Sequence, residues 1–537
     1  MKLKIVTILI FFVFAFSLQA QNYSDALLKS IQFYDANRCG PHAGDDSIFA
    51  DWRGACHTED GKDVGVNLTG GFHDAGDHVK FGLPQGYSAS VLGWALYEFK
   101  DQIAAAGGTD ELLDTLKYFT DYFIASKSGN RFYYQVGDGI EDHAYWGRPE
   151  DQSTNRPTVA YADASHPATD ILGQTSAALS LMYLNYKEIN STYAKQCLSL
   201  ARELFAMAKN NIGAGDGQFF YPSSSIYDDL SWAATWLYVI DGTESLLDDI
   251  KSYLSVPKEN GEVPLKQNHW TMCWDDMGLA VMTKLAILTG DPQYTAVLED
   301  NFDYWINDLE TSPGGMKFLH YWGVLRYNAA ESMLALLYYG ATGNDNYRKL
   351  AESQLKYIMG HNPNNQSYII GYGSNWPVHP HHRAANGYTY ENNGNTLPAK
   401  NLLTGALIGG PDQYDIYKDN ANEYQYTEVA LDYNAGLVGA LAGFIKYQNG
   451  IIETPIPTET PNTPTPTPFG KIGDVNEDGS LSIVDALLIA QKYVGVETPS
   501  FTAPAMQGDI NHDNVLNIVD ALLIAQCYVG IPTSYCP

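Results

Sequence analysis

The run Thr454–Phe469, TPIPTETPNTPTPTPF, constrains this chain more than any other segment. Alternating Pro and Thr buries no core and stiffens the backbone toward polyproline II, so residues 451–470 act as a spacer. The chain must therefore fold as two separate parts, a long region over 22–450 and a short one over 471–537. With 45% hydrophobic and 18% charged residues, the 537-residue chain has ample material for a large core. A net charge of −30, with 62 acidic against 32 basic residues, makes nucleic acid and anionic membrane surfaces poor partners. Residues 1–20 read as a signal peptide: Lys2 and Lys4, an apolar run from Ile5 to Phe16, then Ser17 to Ala20. No later apolar run is long enough to cross a bilayer, so secretion to an extracellular site is the expectation.

The long region reads as helices. Val91, Leu92, Ala95, Leu96 and Phe99 share one face at helical period, as do Leu198, Ala201, Leu204, Phe205 and Ala208. Further helical stretches span 177–186, 230–240, 277–288, 329–339, 347–359 and 437–445, with polar, Gly-rich loops at 67–86 and 362–395. Few segments alternate with period two, which argues against a sheet architecture. Long helices joined by such loops predict an all-α barrel or solenoid with its site on the loop face.

The short region is an internal repeat. GDVNEDGSLSIVDALLIAQKYVG begins at Gly473 and GDINHDNVLNIVDALLIAQCYVG at Gly508. Asp474, Asn476, Asp478, Ser480, Ser482 and Asp485 fall at positions 1, 3, 5, 7, 9 and 12 of a calcium loop. Asp509, Asn511, Asp513, Val515, Asn517 and Asp520 repeat the pattern, with position 7 offering a backbone carbonyl. Calcium prefers several hard oxygens around one point, which this spacing supplies twice. Asn514 replaces Gly479 at the turn position and tolerates its left-handed backbone. The paired repeats resemble a type I dockerin, which implies a cohesin module of a scaffold protein as partner. By that resemblance Ile483–Val484 and Ile518–Val519 lie at the cohesin contact. Val484 and Val519 equally suit the core of the module.

Two clusters of carboxylates stand out in the long region: Asp74 and Asp77 in GGFHDAGDHVKFGLP, and Asp419, Glu428 and Asp432 in YKDNANEYQYTEVALDYNAGLVGALAG. Glycoside hydrolysis needs one protonated carboxylic acid and one ionised carboxylate across a sugar bond. Taken alone, such groups are more often turn and helix caps. The strings carry more. Tyr417-x-Asp419, Tyr424, Glu428-x-Ala430 and Asn434-Ala435 resemble the C-terminal signature of glycoside hydrolase family 9. NWPVHPHHR at 375–383, the Asp74–Asp77 string and GGMKFLHYWGVLRYNAA at 314–330 resemble other motifs of that family.

The resemblance implies an (α/α)6 barrel and a cellulase, acting as an inverting endo-β-1,4-glucanase on cellulose. Processive or exo action, or xyloglucan or mixed-linkage glucan as substrate, are alternatives within the family; a non-catalytic carbohydrate binder is the rival from another class. It implies Glu428 as general acid, Asp77 as general base, Asp74 as holder of the water and Asp419 as a supporting acid. It implies His143, Trp146, Trp322, His381, Arg383 and Tyr433 as substrate-binding residues. Ser225, Asp228, Asp229 and Asp275 resemble a structural calcium site of the family, besides the two calcium ions of the repeat; the chemistry itself needs no cofactor. The six cysteines permit disulfides, with Cys39 and Cys56 closing a short loop. Cys197 and Cys273 are expected as small buried hydrophobes on helices. With no Cys-x-x-Cys pair, no cysteine chemistry is expected.

Overall fold

The computed structural model describes residues 22–258, 260–392, 394–450, 475–476, 482–494, 496, 508–511 and 516–528. The signal segment, the spacer, Asp474, Asp478, Ser480, Asp513, Val515 and Cys536 lie outside the described residues, as does the side chain of Cys527. The chain forms two units, Met1–Thr458 and Glu459–Pro537.

Within the described residues of the larger unit, six helices are buried on nearly every side: Gly82–Ala105, Thr169–Tyr186, Tyr227–Asp241, Gly278–Thr289, Val324–Thr342 and Leu431–Tyr447. Each packs on the next in that order, and the last returns to the first, which closes a ring. Tyr23–Gln32, Thr109–Ser126, Ser191–Asn210, Glu244–Leu254, Pro292–Asp303 and Asp345–Ile358 form an outer layer, each packed chiefly on one inner helix. The division follows composition. ALSLMYL or LALLYY offers apolar atoms all round and suits burial on every side, whereas the outer helix Asp345–Ile358 buries only Tyr347, Leu350, Ala351, Gln354, Leu355, Tyr357 and Ile358. Gly436 and Gly439 let the last inner helix approach its neighbour. A Cβ at Gly436 would lie 2.8 Å from the Ala330 Cα, and one at Gly439 would lie 2.1 Å from the Met333 sulfur. The expected helical barrel is therefore the fold.

One element departs from the all-α expectation. Lys80–Phe81, Lys127–Ser128, Arg131–Val136 and Thr158–Ala162 form a small antiparallel sheet. Its longest strand, RFYYQV, is buried along five of six residues, so it lacks the alternation that marks a half-exposed strand.

In the smaller unit, helices Ile483–Tyr493 and Ile518–Tyr528 pack together. Val475, Ala486, Leu488, Ile489, Ile510, Ala521 and Ile524 form the core. Asp485 is fully buried; it accepts from the Val475 N–H at 2.9 Å and the Ser482 N–H at 2.8 Å. Asp520 repeats this with Ile510 and Asn517 at 3.1 and 2.8 Å. Val484 and Val519 are about half exposed, so they belong to the surface and not the core. With Ile483, Leu487, Ile518 and Leu522 they line an apolar groove of about 500 Å³.

Candidate active site

The functional side chains gather where loops enter the N-termini of the inner helices. Asp74 and Asp77 precede Gly82–Ala105, Tyr221 precedes Tyr227–Asp241, Trp274 precedes Gly278–Thr289, Trp322 precedes Val324–Thr342, and Glu428 precedes Leu431–Tyr447. These residues line one cleft of about 520 Å³ with His143, His381, Arg383, Tyr424 and Arg326. Converging helix N-termini favour negative charge, which suits a site built from carboxylates.

Three loops are tied together by backbone bonds. The Arg383 N–H donates to Gly76 O at 3.0 Å, that of His381 to Thr427 O at 2.8 Å, and that of Leu431 to Asp74 O at 3.0 Å. Gly76 permits this join: a Cβ there would sit 1.8 Å from His381 O. Any side chain at position 76 would push the two loops apart.

On one wall Asp77 is held by its own loop. Oδ1 accepts from the Ala75 N–H at 3.1 Å and Oδ2 from the Val79 N–H at 3.2 Å, with His143 Nε2 3.7 Å from Oδ2. Asp74 Oδ2 accepts from the Tyr221 hydroxyl, while its buried Oδ1 has no protein partner. Burial, and then the charge of Asp77, push the Asp74 carboxyl well above its ordinary range. Asp77 is also raised by burial, with His143 and Arg383 opposing and Asp142 reinforcing the shift.

On the other wall, Glu428 Oε2 accepts from Trp322 Nε1 at 2.6 Å and from the Tyr433 hydroxyl at 2.8 Å. Burial raises this carboxyl against those two hydrogen bonds, so it tends to keep its proton. Arg326 lies close by, paired with Asp432 at 3.0 Å. One raised carboxylic acid and a coupled carboxylate pair in the same cleft can supply an acid and a base.

The remaining expected residues divide into wall and support. His143, Trp322, His381 and Arg383 line the cleft. His381 Nδ1 lies 2.5 Å from Ala421 O, and burial pushes its imidazole down to about 4, leaving it neutral. Trp146 is placed otherwise than expected: its ring is buried edge-on behind His381, and its Nε1 donates to Asn386 at 2.9 Å. Tyr433 is likewise buried, and its hydroxyl serves Glu428 while the ring offers no open face. Asp419 accepts from the Val378 and His379 N–H groups, both at 3.0 Å, and so fastens the loop that carries His381.

Sequence reasoning missed Tyr221, Trp274 and Tyr424 as cleft residues. Tyr221 sits in FFYPSSS, four residues before Ser225, and a tyrosine there carries no local signal of its carboxylate partner.

Two further sets of donors are present. Cys39, Cys56, His57 and His73 bring one ligand atom each within 4.8 Å of one another. The Cys39–Cys56 disulfide that the sequence permits is not formed; both thiols are free and buried, as are Cys197 and Cys273. Cys273 lies in a turn ahead of helix Gly278–Thr289 and not on a helix. His57 Nδ1 faces His73 Nε2 at 3.0 Å and Cys39 Sγ at 3.5 Å. Two thiols and two imidazoles around one point suit zinc, which would be structural and would fasten the residue preceding Asp74. The expectation of no cysteine chemistry thus meets a ligand set assembled from two successive loops.

The second set is the Ser225, Asp228, Asp229 and Asp275 group. Asp228 Oδ2 accepts from the Met277 N–H at 2.7 Å, and Asp275 Oδ1 accepts from the Ser224 N–H at 2.6 Å. Asp228 Oδ1 and both Asp229 oxygens are buried without a hydrogen-bond partner. Burial raises Asp228 to about 7 and Asp275 to about 6, and it pushes Asp229 well above the usual carboxylate range. Adjacent buried carboxylates with unpartnered oxygens fit a hard divalent cation.

Known proteins share this fold. Residues 23–441 match the model of glycosyl hydrolase family 9, and 472–527 match the dockerin type I domain. The chain is 38% identical over 446 residues to endoglucanase A of Bacillus pumilus, covering 79% of this chain and 66% of that protein. It thus spans just under two thirds of that relative, and 44% of endoglucanase B of Cellulomonas fimi, to which it is 37% identical over 84% of its own length. The crystal structure of the cellulase Cel9M of C. cellulolyticum with cellobiose matches with a TM-score of 0.78 and 58% identity, over 80% of this chain and 99% of that one. The endoglucanase of the termite Nasutitermes takasagoensis matches with a TM-score of 0.75 and 36% identity, over 80% of this chain and all of that one. The chain belongs to glycosyl hydrolase family 9 and carries a dockerin type I domain at its C-terminal end.

Proposed function

We propose that this protein is a secreted endo-β-1,4-glucanase that hydrolyses cellulose with inversion and docks through its C-terminal repeat onto a cohesin of a scaffold. One observation carries the catalytic reading: Glu428, held by Trp322 and Tyr433, shares an aromatic-walled cleft with the Asp74–Asp77 pair. Glu428 protonates the departing glycosidic oxygen. Asp77 removes a proton from the attacking water, and Asp74, steadied by Tyr221, holds that water. Trp322, Tyr424 and Trp274 offer apolar ring surface to pyranose faces, while His143, His381 and Arg383 offer polar atoms to hydroxyls.

Docking rests on the exposed apolar groove of Ile483, Val484, Leu487, Ile518, Val519 and Leu522. A module this small does not expose six such residues without a partner to cover them. Two calcium ions belong to its loops. Asn476, Asp485, Asp509, Asn511 and Asp520 are the described ligands, and Asp474, Asp478, Ser480, Asp513 and Val515 complete the two sets. A further calcium belongs to Asp228, Asp229, Asp275 and Ser225.

The test of endo-action compares viscosity loss with reducing-sugar release on soluble carboxymethyl cellulose. Internal cleavage drops viscosity early, at little sugar release. Sugar release that runs ahead of viscosity loss would favour processive or exo action.

A further inference from the structure

Asp142 is the acid of this region that the mechanism above does not use. It is buried in the short helix Gly139–His143, one residue before the cleft residue His143. Its oxygens are fully engaged. Oδ2 accepts from Arg383 NH1 at 2.7 Å and from the His78 N–H at 3.2 Å, and Oδ1 accepts from Gln152 Nε2 at 2.9 Å. Arg383 NH1 also donates to the Asp142 backbone carbonyl at 3.1 Å. One carboxylate thus grips the cleft arginine and the peptide that follows Asp77. Asp77, Asp142 and His143 each bring one side-chain oxygen or nitrogen within 4.8 Å of the others. Gln152 steadies Asp142 from behind, with its Oε1 2.9 Å from His57 Nε2.

We infer that Asp142 is a positioning residue for the base: it fixes Arg383 and the Asp77–His78 backbone in one geometry, and its charge acts on Asp77 through space. The inference rests on the reading of Asp77 as general base. The charged and titratable groups around Asp77 are His143 and Asp142 on the short helix Gly139–His143, Arg383 at the head of the short helix Arg383–Asn386, and Asp74 and His78 on its own loop, the last with Nδ1 2.8 Å from the Asp77 carbonyl. Asp142 works against ionisation of Asp77, while Arg383 works for it. Although burial disfavours its charge, Asp142 is held well below the usual carboxylate range by His78 and Arg383, so it is an anion throughout the working range. Neutralising it removes the opposing charge and frees Arg383 to favour the Asp77 anion. Both changes make Asp77 a weaker base.

Asp142→Asn is close to isosteric. A turn of the Gln152 amide presents its oxygen to the new amide but gives up its contact with His57 Nε2, so Tm is read alongside. In the full-length enzyme on soluble glucan, kcat is expected to fall about 10- to 100-fold with KM changed less than about threefold. The acidic limb of the kcat/KM profile is expected to move roughly one pH unit lower. A purely structural role would lower Tm and leave that limb in place. A folded Asp142→Asn enzyme with the wild-type limb and kcat would overturn the inference. If that variant does not fold, Gln152→Met keeps the Asp142 charge but removes its rear support. It is expected to lower kcat about 3- to 10-fold with the limb unmoved, and wild-type kcat there would overturn the inference as well. Asp77→Asn, measured alongside, separates the two readings: near-wild-type activity in that variant would remove Asp77 as base, whatever Asp142 does.

Discussion

Replacing Glu428 by Gln isolates the proton that the proposed mechanism has this residue donate. Both donors that hold the side chain, Trp322 at 2.6 Å and Tyr433 at 2.8 Å, point at the single oxygen Oε2. A glutamine carbonyl can accept the same two bonds, so stability should change by about 1 kcal/mol or less. The amide cannot protonate the leaving oxygen. On cello-oligosaccharides, whose leaving alkoxide needs that proton, the rate should fall about 10²- to 10⁴-fold, or about 2.7–5.5 kcal/mol of barrier. On a dinitrophenyl cellobioside, whose phenolate leaves unaided, the loss should shrink to about tenfold or less. The assay is kcat/KM on both substrates, with Tm as the control for folding. Equal losses on the two substrates at unchanged Tm would refute the assignment of Glu428 as the acid.

Other consequences are open to measurement. Removing calcium with EGTA, or substituting Asp474→Ala and Asp509→Ala together, should abolish cohesin binding and leave most hydrolysis of soluble substrate, as isothermal titration and sugar release will show. Retained binding in calcium-free buffer would contradict the loop assignment. The Cys39, Cys56, His57 and His73 set should hold about one zinc per chain by elemental analysis; Cys56→Ser should lose it and lower Tm. Buried Glu331 has Thr271 as hydrogen-bond partner, at 2.7 Å, and burial pushes its carboxyl up to about 8. A raised acid binds its proton more tightly when folded, so its contribution is complete below the unfolded value near 4.5 and is lost as pH rises through 8. Glu331→Gln should therefore soften the decline of Tm between pH 5 and pH 8, a difference on the order of 1–3 kcal/mol by chemical denaturation. An unchanged decline would show that Glu331 is not the group responsible.

What the sequence revealed depended on how local each signal was. Asp74, Asp77 and Glu428 lie in strings that resemble motifs of one family, so they could be singled out without a structure, and the fold gathers them in one cleft. The inner helices were legible too, since long apolar stretches ended by Gly and polar loops have few other solutions. The Cys/His cluster was hidden because its four residues come from two loops, at spacings that match no short motif. Arg131–Val136 was hidden because burial of both faces erases period-two alternation. Trp146 and Tyr433 show a different limit. An aromatic ring looks the same in sequence whether it offers its face to a sugar or packs behind the residue that does, and only the buried Trp146–His381 and Tyr433–Glu428 contacts separate the cases. Asp142 showed only as an unremarked acid beside His143, because its partners lie 10, 64 and 241 residues away.

The central claim is a single displacement by water, with Glu428 as acid and Asp77 as base. Proton NMR of the first sugar released from a soluble β-1,4-glucan tests it most directly, read before the anomers equilibrate. The account predicts that the α-anomer appears first. A first-formed β-anomer would mean a covalent intermediate and would contradict it.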